Sequence, residues 1–308
     1  MRTIKWNDWD RELKGPATYE KYNALAKLHK QYYHNILKSQ LITLLVISLL
    51  SSIPDPDIQG MKLIQYLILF LIIFYMCLMI MQFRSNYMPK WQKSRFLAES
   101  TLSEAWFFAF GFDIYENAEQ AKEAFLKRIK YIKAELKMPE IGIVFDTQVE
   151  SIRSVLNNEF SAWIIDTQSK SMQDKIDFYI TNRVENQIKY YSRRAELNSR
   201  NSTLYFYTGL VFNVIGITLA ILSIGGSVPA YTYIALFTTL SAAFLSWTQT
   251  KQHEEVSIKS SVAIDELSSA KDELLILKDT NNLTRVRSKI YEIEKLISRE
   301  HKVKRNNE

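Results

Sequence analysis

Four apolar blocks interrupt an otherwise densely charged chain. "LIQYLILFLIIFYMCLMIMQF", residues 63–83, carries no charge. A helix of roughly 21 residues reaches about 31 Å, the thickness of a bilayer's hydrocarbon core. The block is apolar on every face, unlike a surface helix of a soluble domain. "LITLLVISLLSSI", residues 41–53, is short for a span before Pro54. It suffices if its helix starts near Tyr33, with Lys38 snorkelling to the interface. "LYFYTGLVFNVIGITLAILSIGG", 204–226, and "PAYTYIALFTTLSAAFLSWTQT", 229–250, are free of charge. "PDPDIQG", 54–60, and "GGSVP", 225–229, supply turn residues between partners. The pattern predicts an all-α membrane protein with four transmembrane helices in two helical hairpins. The spans fall at about 35–53, 61–83, 203–224 and 229–250.

The charged segments read as long helices. "YITNRVENQIKYYSRRAEL" sets Ile180, Val184, Gln187, Ile188 and Tyr191 at helical spacing, with Glu185 and Lys189 four apart. This helix is expected to run into the third span without a break. In the tail, Ala263, Leu267, Ala270, Leu274 and Leu277 form one stripe. Leu283, Val286, Ile290, Ile293 and Ile297 form another, across "DTNN". The pair fits a helical hairpin or a stuttered coiled coil, packed within the chain or between subunits. Pro139 and "EIGIVFDT" interrupt the pattern, and a short helix is expected at "TQVESIRSVLNNEF". The organisation is therefore a first unit at 1–137, a linker at 138–165 and a second unit at 166–308. Each half is a polar helix, a membrane hairpin and another polar helix. Each also carries a tyrosine pair before its first span, in "KQYYHN" and "IKYYSRR", as suits a bilayer interface.

Charge adds orientation. Lys and Arg number 39 against 33 Asp and Glu in 308 residues, a net +6. They crowd the N-terminal arm, the centre and the tail and avoid both short turns. The positive-inside rule then places both termini and the central segment in the cytoplasm. The basic balance meets lipid headgroups here, and no nucleic-acid motif accompanies it. The lone Cys77 permits no internal disulfide. His29, His34, His253 and His301 lack metal-ligand spacing, so neither a metal nor a cofactor is expected. The first apolar block lies too deep for a secretory leader.

Three stretches resemble SLATT domains, the SMODS- and SLOG-associating two-transmembrane effectors. "WQKSRFLAESTLSEAWF", 91–107, is similar to their W-x-x-x-R-x-x-A-E pattern. "YITNRVENQIKYYSRRAE", 179–196, is similar to their R-x-x-x-Q-x-x-Y-Y approach helix, and "IYEIEKLISREHKVKR", 290–305, to their closing amphipathic helix. The resemblance covers nearly the whole chain as two units in tandem. It implies a pore-forming or membrane-disrupting effector of bacterial anti-phage defence in the cytoplasmic membrane. It also implies activation by a nucleotide second messenger or a cytoplasmic sensor protein.

The residues supply candidates for a conducting path. Gly209, Asn213, Gly216, Ala220 and Ser223 share one helical face of the third span. Ala235, Thr239, Ala242 and Ser246 do so on the fourth. Such faces line pores or pack helices closely. Asn213 is expected to point inward either way, since polar groups at bilayer depth seldom meet lipid. Spans one and two are expected to shield three and four. A water-filled path needs several chains, hence a homo-oligomer, with Asp55 and Asp57 repeated around its outer mouth. Arg183, Lys189, Arg193 and Arg194 are candidates for an anionic ligand or lipid phosphates. A membrane-anchored scaffold that recruits a cytoplasmic partner is the competing reading. An enzyme is not expected, because no paired carboxylates, phosphate loop or nucleophile elbow is present.

Overall fold

The computed structural model describes residues 13–53, 63–136, 159–224, 231–280 and 282–299. The turns at 54–60 and 225–229, with Asp55 and Asp57, lie outside these residues. So do most of the linker with its expected short helix, and the chain after 299.

Every regular element among the described residues is helical. The helices are α1 Ala17–Ser51, α2 Leu63–Ser85, α3 Tyr87–Phe110, α4 Ala118–Glu135, α5 Ala162–Gln168 and α6 Met172–Tyr179. After a π turn at Ile180–Val184 come α7 Glu185–Ile224, α8 Tyr231–Lys251, α9 His253–Lys278 and α10 Leu283–Arg299. Among the described residues, three stretches are long and apolar enough to cross a membrane: Ala17–Ser51, Leu63–Phe110 and Met172–Ile224. Single residues in the left-handed conformation separate α2 from α3 and α8 from α9. These are Asn86 at φ 50° and Gln252 at φ 50°.

Two compact units emerge, and each draws chain from both halves of the sequence. The first comprises Met1–Lys30, Met88–Ser192 and Val262–Glu308. Its central helix is α3, where apolar and polar residues alike are buried from Ser94 to Phe110. Trp106 lies 4.4 Å from Trp163 and edge-on to Tyr179 at 5.1 Å, centroid to centroid. Gly111, at φ 73°, ends α3. Its N–H donates to the Phe108 carbonyl, and that of Phe112 to the Phe107 carbonyl, a Schellman cap that needs the left-handed residue glycine supplies. Both tail stripes are buried in this core. Leu267, Ala270 and Leu274 lie in the same cluster as Val286, Ile290, Ile293 and Ile297. Tyr191 of the second tyrosine pair is also there, 1% exposed. It is a core residue and not an interfacial anchor, because the helical period that buries Val184 carries Tyr191 onto the same face.

The second unit comprises Gln31–Tyr87 and Arg193–Ser261. Its polarity is inverted relative to a soluble bundle. Bulky apolar side chains face outward, among them Ile42, Tyr66, Phe70, Ile72, Val211, Ile217 and Ile221. Gln40, Thr43, Ser52 and Ser241 are buried. Such an arrangement suits a hydrocarbon surround, where polar groups find partners only inside. Leu78 is the buried residue of α2, so that helix touches the rest along a thin seam.

Candidate functional site

Two regions contain the residues singled out by sequence. In the second unit, α7 packs on α8 through alternating large and small positions. Tyr205, Gly209, Phe212 and Gly216 are spaced by four, three and four. Phe212 stacks on Phe244 at 5.7 Å and meets Phe237 at 6.1 Å. A methyl group at Gly209 would sit 3.6 Å from the Ser241 carbonyl and 3.7 Å from the Phe244 Cβ. One at Gly216 would meet the Phe237 Cβ at 3.7 Å. The two glycines therefore let the backbones approach while the aromatic rings interleave.

This seam changes the expected face. Asn213, expected to point inward, is exposed on the single chain. The contact turns on Gly209 and Gly216 and on aromatic residues between them, which leaves Asn213 at the seam's edge. Ala220 and Ser223 are half-buried. On α8, Thr239 is half-buried, whereas Ala235, Ala242 and Ser246 are exposed. Ser48 of α1 lies 3.3 Å from the Thr239 hydroxyl and donates to the Ala235 carbonyl at 3.4 Å. α1 thus joins α8 through polar groups. It does more than shield, because its buried face is the polar one.

In the first unit, the cations split. Arg183 is not an exposed anion receptor. It is 3% exposed. From the π turn it enters the core, on the face of Tyr179 and Ile180, where its guanidinium grips Glu294 of α10 with Nε at 3.0 Å and Nη2 at 2.9 Å. The same Nη2 reaches Glu99 of α3 at 3.4 Å. Glu99 pairs with Arg95 at 2.5 Å, and Arg95 donates to the Asn23 side chain of α1 at 2.8 Å. Glu294 accepts two more bonds, from the Tyr179 hydroxyl at 2.9 Å and Ser103 Oγ at 2.6 Å. Two cations and two anions thus balance inside one network from α1, α3, the α6–π–α7 line and α10. Burial opposes the Arg183 charge. The Glu294 carboxylate outweighs it, so the guanidinium pKa rises. Burial and the same carboxylate push the Tyr179 hydroxyl well above its usual range. Lys189 and Arg193 are exposed and Arg194 is half-buried.

Arg95, Glu99 and Arg183 are the charged residues of the two sequence patterns quoted above, and the fold brings them together. Glu294, the anion that grips Arg183, was not singled out by sequence. Its signal was an acid on an apolar stripe, four residues after Ile290 and three before Ile297. Among the described residues no group of His, Cys, Asp and Glu is placed to hold a metal.

Comparison with known families then accounts for the shared patterns. The profile of SMODS and SLOG-associating 2TM effector domain 3 matches residues 16–157. That of SMODS and SLOG-associating 2TM effector domain 1 matches residues 179–303. The chain belongs to the SLATT family. It carries two SLATT domains in tandem and is a membrane effector protein. No curated protein and no solved structure matches it. Arg95 and Glu99 fall in the first SLATT domain, Arg183 and Glu294 in the second, so the network ties one domain to the other.

Proposed function

We propose that this tandem SLATT protein permeabilises the bacterial cytoplasmic membrane as a defence effector. The observation that carries this is a set of small and polar residues left exposed at membrane depth. Much of the second unit's outer surface is bulky and apolar. Ala235, Ala242 and Ser246 on α8 and Asn213 on α7 are exposed as well, with Tyr233 and Leu245 the large exposed apolar residues described on α8. An exposed amide at mid-span is costly against lipid and favourable against a second chain or water. A ring of several copies would cover these residues and enclose a polar path.

In this reading α8, at 21 residues or about 31 Å, is a fourth span. Both hairpins have cytoplasmic ends and both termini are cytoplasmic. The left-handed residues Asn86 and Gln252, each following the second helix of a hairpin, support an internal repeat. Asp55 and Asp57 would mark the outer mouth, and Lys189, Arg193 and Arg194 would meet lipid phosphates. A nucleotide second messenger or a sensor protein would act on the first unit. The protein performs no chemistry of its own.

Membrane potential tests this, read by a voltage-sensitive dye in phage-challenged bacteria expressing the chain. Wild type should depolarise the cells. Asn213→Leu, inserted to the same level, should not. Depolarisation by both removes Asn213 from the path. A steady potential in both refutes permeabilisation and leaves a recruiting scaffold.

A further inference from the structure

The π turn at Ile180–Val184 sits at the head of α7, a single helix of 40 residues. A π turn stores one residue more than the α-helical path needs. Its backbone is fitted to this state. The Glu185 N–H reaches back to the Ile180 carbonyl. The Asn182 side chain donates to the Phe178 carbonyl, and that of Asn186 to the Asn182 carbonyl, both at 2.9 Å. Arg183 projects from the turn into the grip of Glu294.

We propose that this turn is a register store, latched by Glu294 and released when α10 lets go. The proposal rests on the effector reading above. If the turn relaxes to an ordinary α turn, every later residue of α7 advances by about 100° and about 1.5 Å, one residue's step. Each side chain then takes the place of its successor. Tyr190 replaces Tyr191 in the core, so the tyrosine pair fills the same pocket in either register. Thr208 and Ile215 replace Gly209 and Gly216 against α8. Both are larger, and at the positions they enter a single methyl group already touches its neighbours at 3.6–3.7 Å. The relaxed register wedges α7 away from α8. Two packed arrangements of one helix make such a change a switch and not a gradual drift.

The test uses the full chain in phosphatidylethanolamine and phosphatidylglycerol vesicles. Cys77 is replaced by serine, and nitroxides are placed singly at positions 210–217. Lipid-phase oxygen accessibility along these positions reports the helix's rotational phase. Glu294→Gln weakens the latch. It should raise amide exchange in α10 and move the phase by about one residue. Deleting Thr181, an exposed residue of the turn, removes the stored residue while leaving later residues in the resting place. In the Glu294→Gln background it should restore the resting phase. That rescue also shows that the Glu294→Gln protein remains folded. Unchanged exchange in α10, an unchanged phase despite release, or a shift that survives the deletion would each overturn the proposal. The phase is read without any pore. Dye release from vesicles with no phase shift would sink the register store alone, and a phase shift without dye release would sink the permeation reading alone.

Discussion

Replacing Glu294 with leucine should be among the most damaging single changes to the first unit. The carboxylate is 2% exposed and accepts four bonds, two from Arg183 and one each from Tyr179 and Ser103. Without it, Arg183 retains Glu99 at 3.4 Å and is otherwise buried without an anion. Removing one partner of a buried ion pair costs about 3–5 kcal/mol. At about 2–4 °C per kcal/mol for a chain of this size, the melting temperature should fall by roughly 10 °C. Arg183→Met should cost a similar amount, because it leaves Glu294 buried without a cation while Glu99 keeps Arg95. The double variant is the decisive one. It removes one charge of each sign, and Glu99 keeps Arg95 at 2.5 Å. The remaining loss is the acceptor for Tyr179 and Ser103, about 1–3 kcal/mol each and already included in the loss from Glu294→Leu alone. Thermal unfolding of the detergent-solubilised full chain, followed by circular dichroism, supplies all three values. The double variant should melt above either single variant. If its loss equals the sum of the single losses, the two residues are not coupled and the network has no such role.

Alanine at Gly209 or Gly216 should leave thermal stability within about 0.5 kcal/mol, since a methyl group meets only ordinary contacts there. Leucine at either position should separate α7 from α8, which a distance between spin labels on the two helices would record. His253 is buried, with Nδ1 2.7 Å from the Asn198 side chain. Burial, then Lys251, lowers its pKa below 6.5. The folded ring therefore stays neutral while the unfolded one takes up a proton, and stability should decline as pH falls through 6.5. His253→Asn should flatten that part of the decline in a melting series from pH 8 to pH 5.

The apolar blocks were legible because length and absence of charge are local properties. The helices fall where the blocks do: α2 at Leu63–Ser85 and α8 at Tyr231–Lys251. The continuous approach into α7 was legible too, apart from the π turn, whose residues "ITNRV" have no compositional mark. Side-chain direction was harder to read. Arg183 looks like its exposed neighbours in a basic helix, yet it lies four residues after Tyr179 and three after Ile180, on the face that is buried. Asn213 shares a face with Gly209 and Gly216 on an ideal helical wheel. The wheel does not show which neighbours carry the contact, and here the aromatic rings of Tyr205 and Phe212 alternate with the glycines. Glu294 required knowing that two arginine-bearing helices from different domains meet one acid on the last helix.

The placement of the left-handed residues makes the two helices of each apolar pair unequal. α1 and α7 are unbroken rods of 35 and 40 residues, about 52 and 60 Å long. Their return partners, α2 and α8, each end at a one-residue joint, Asn86 or Gln252. In each pair one helix therefore carries its direction unbroken over its whole length, whereas the path out of the other changes direction at a single residue, Asn86 or Gln252.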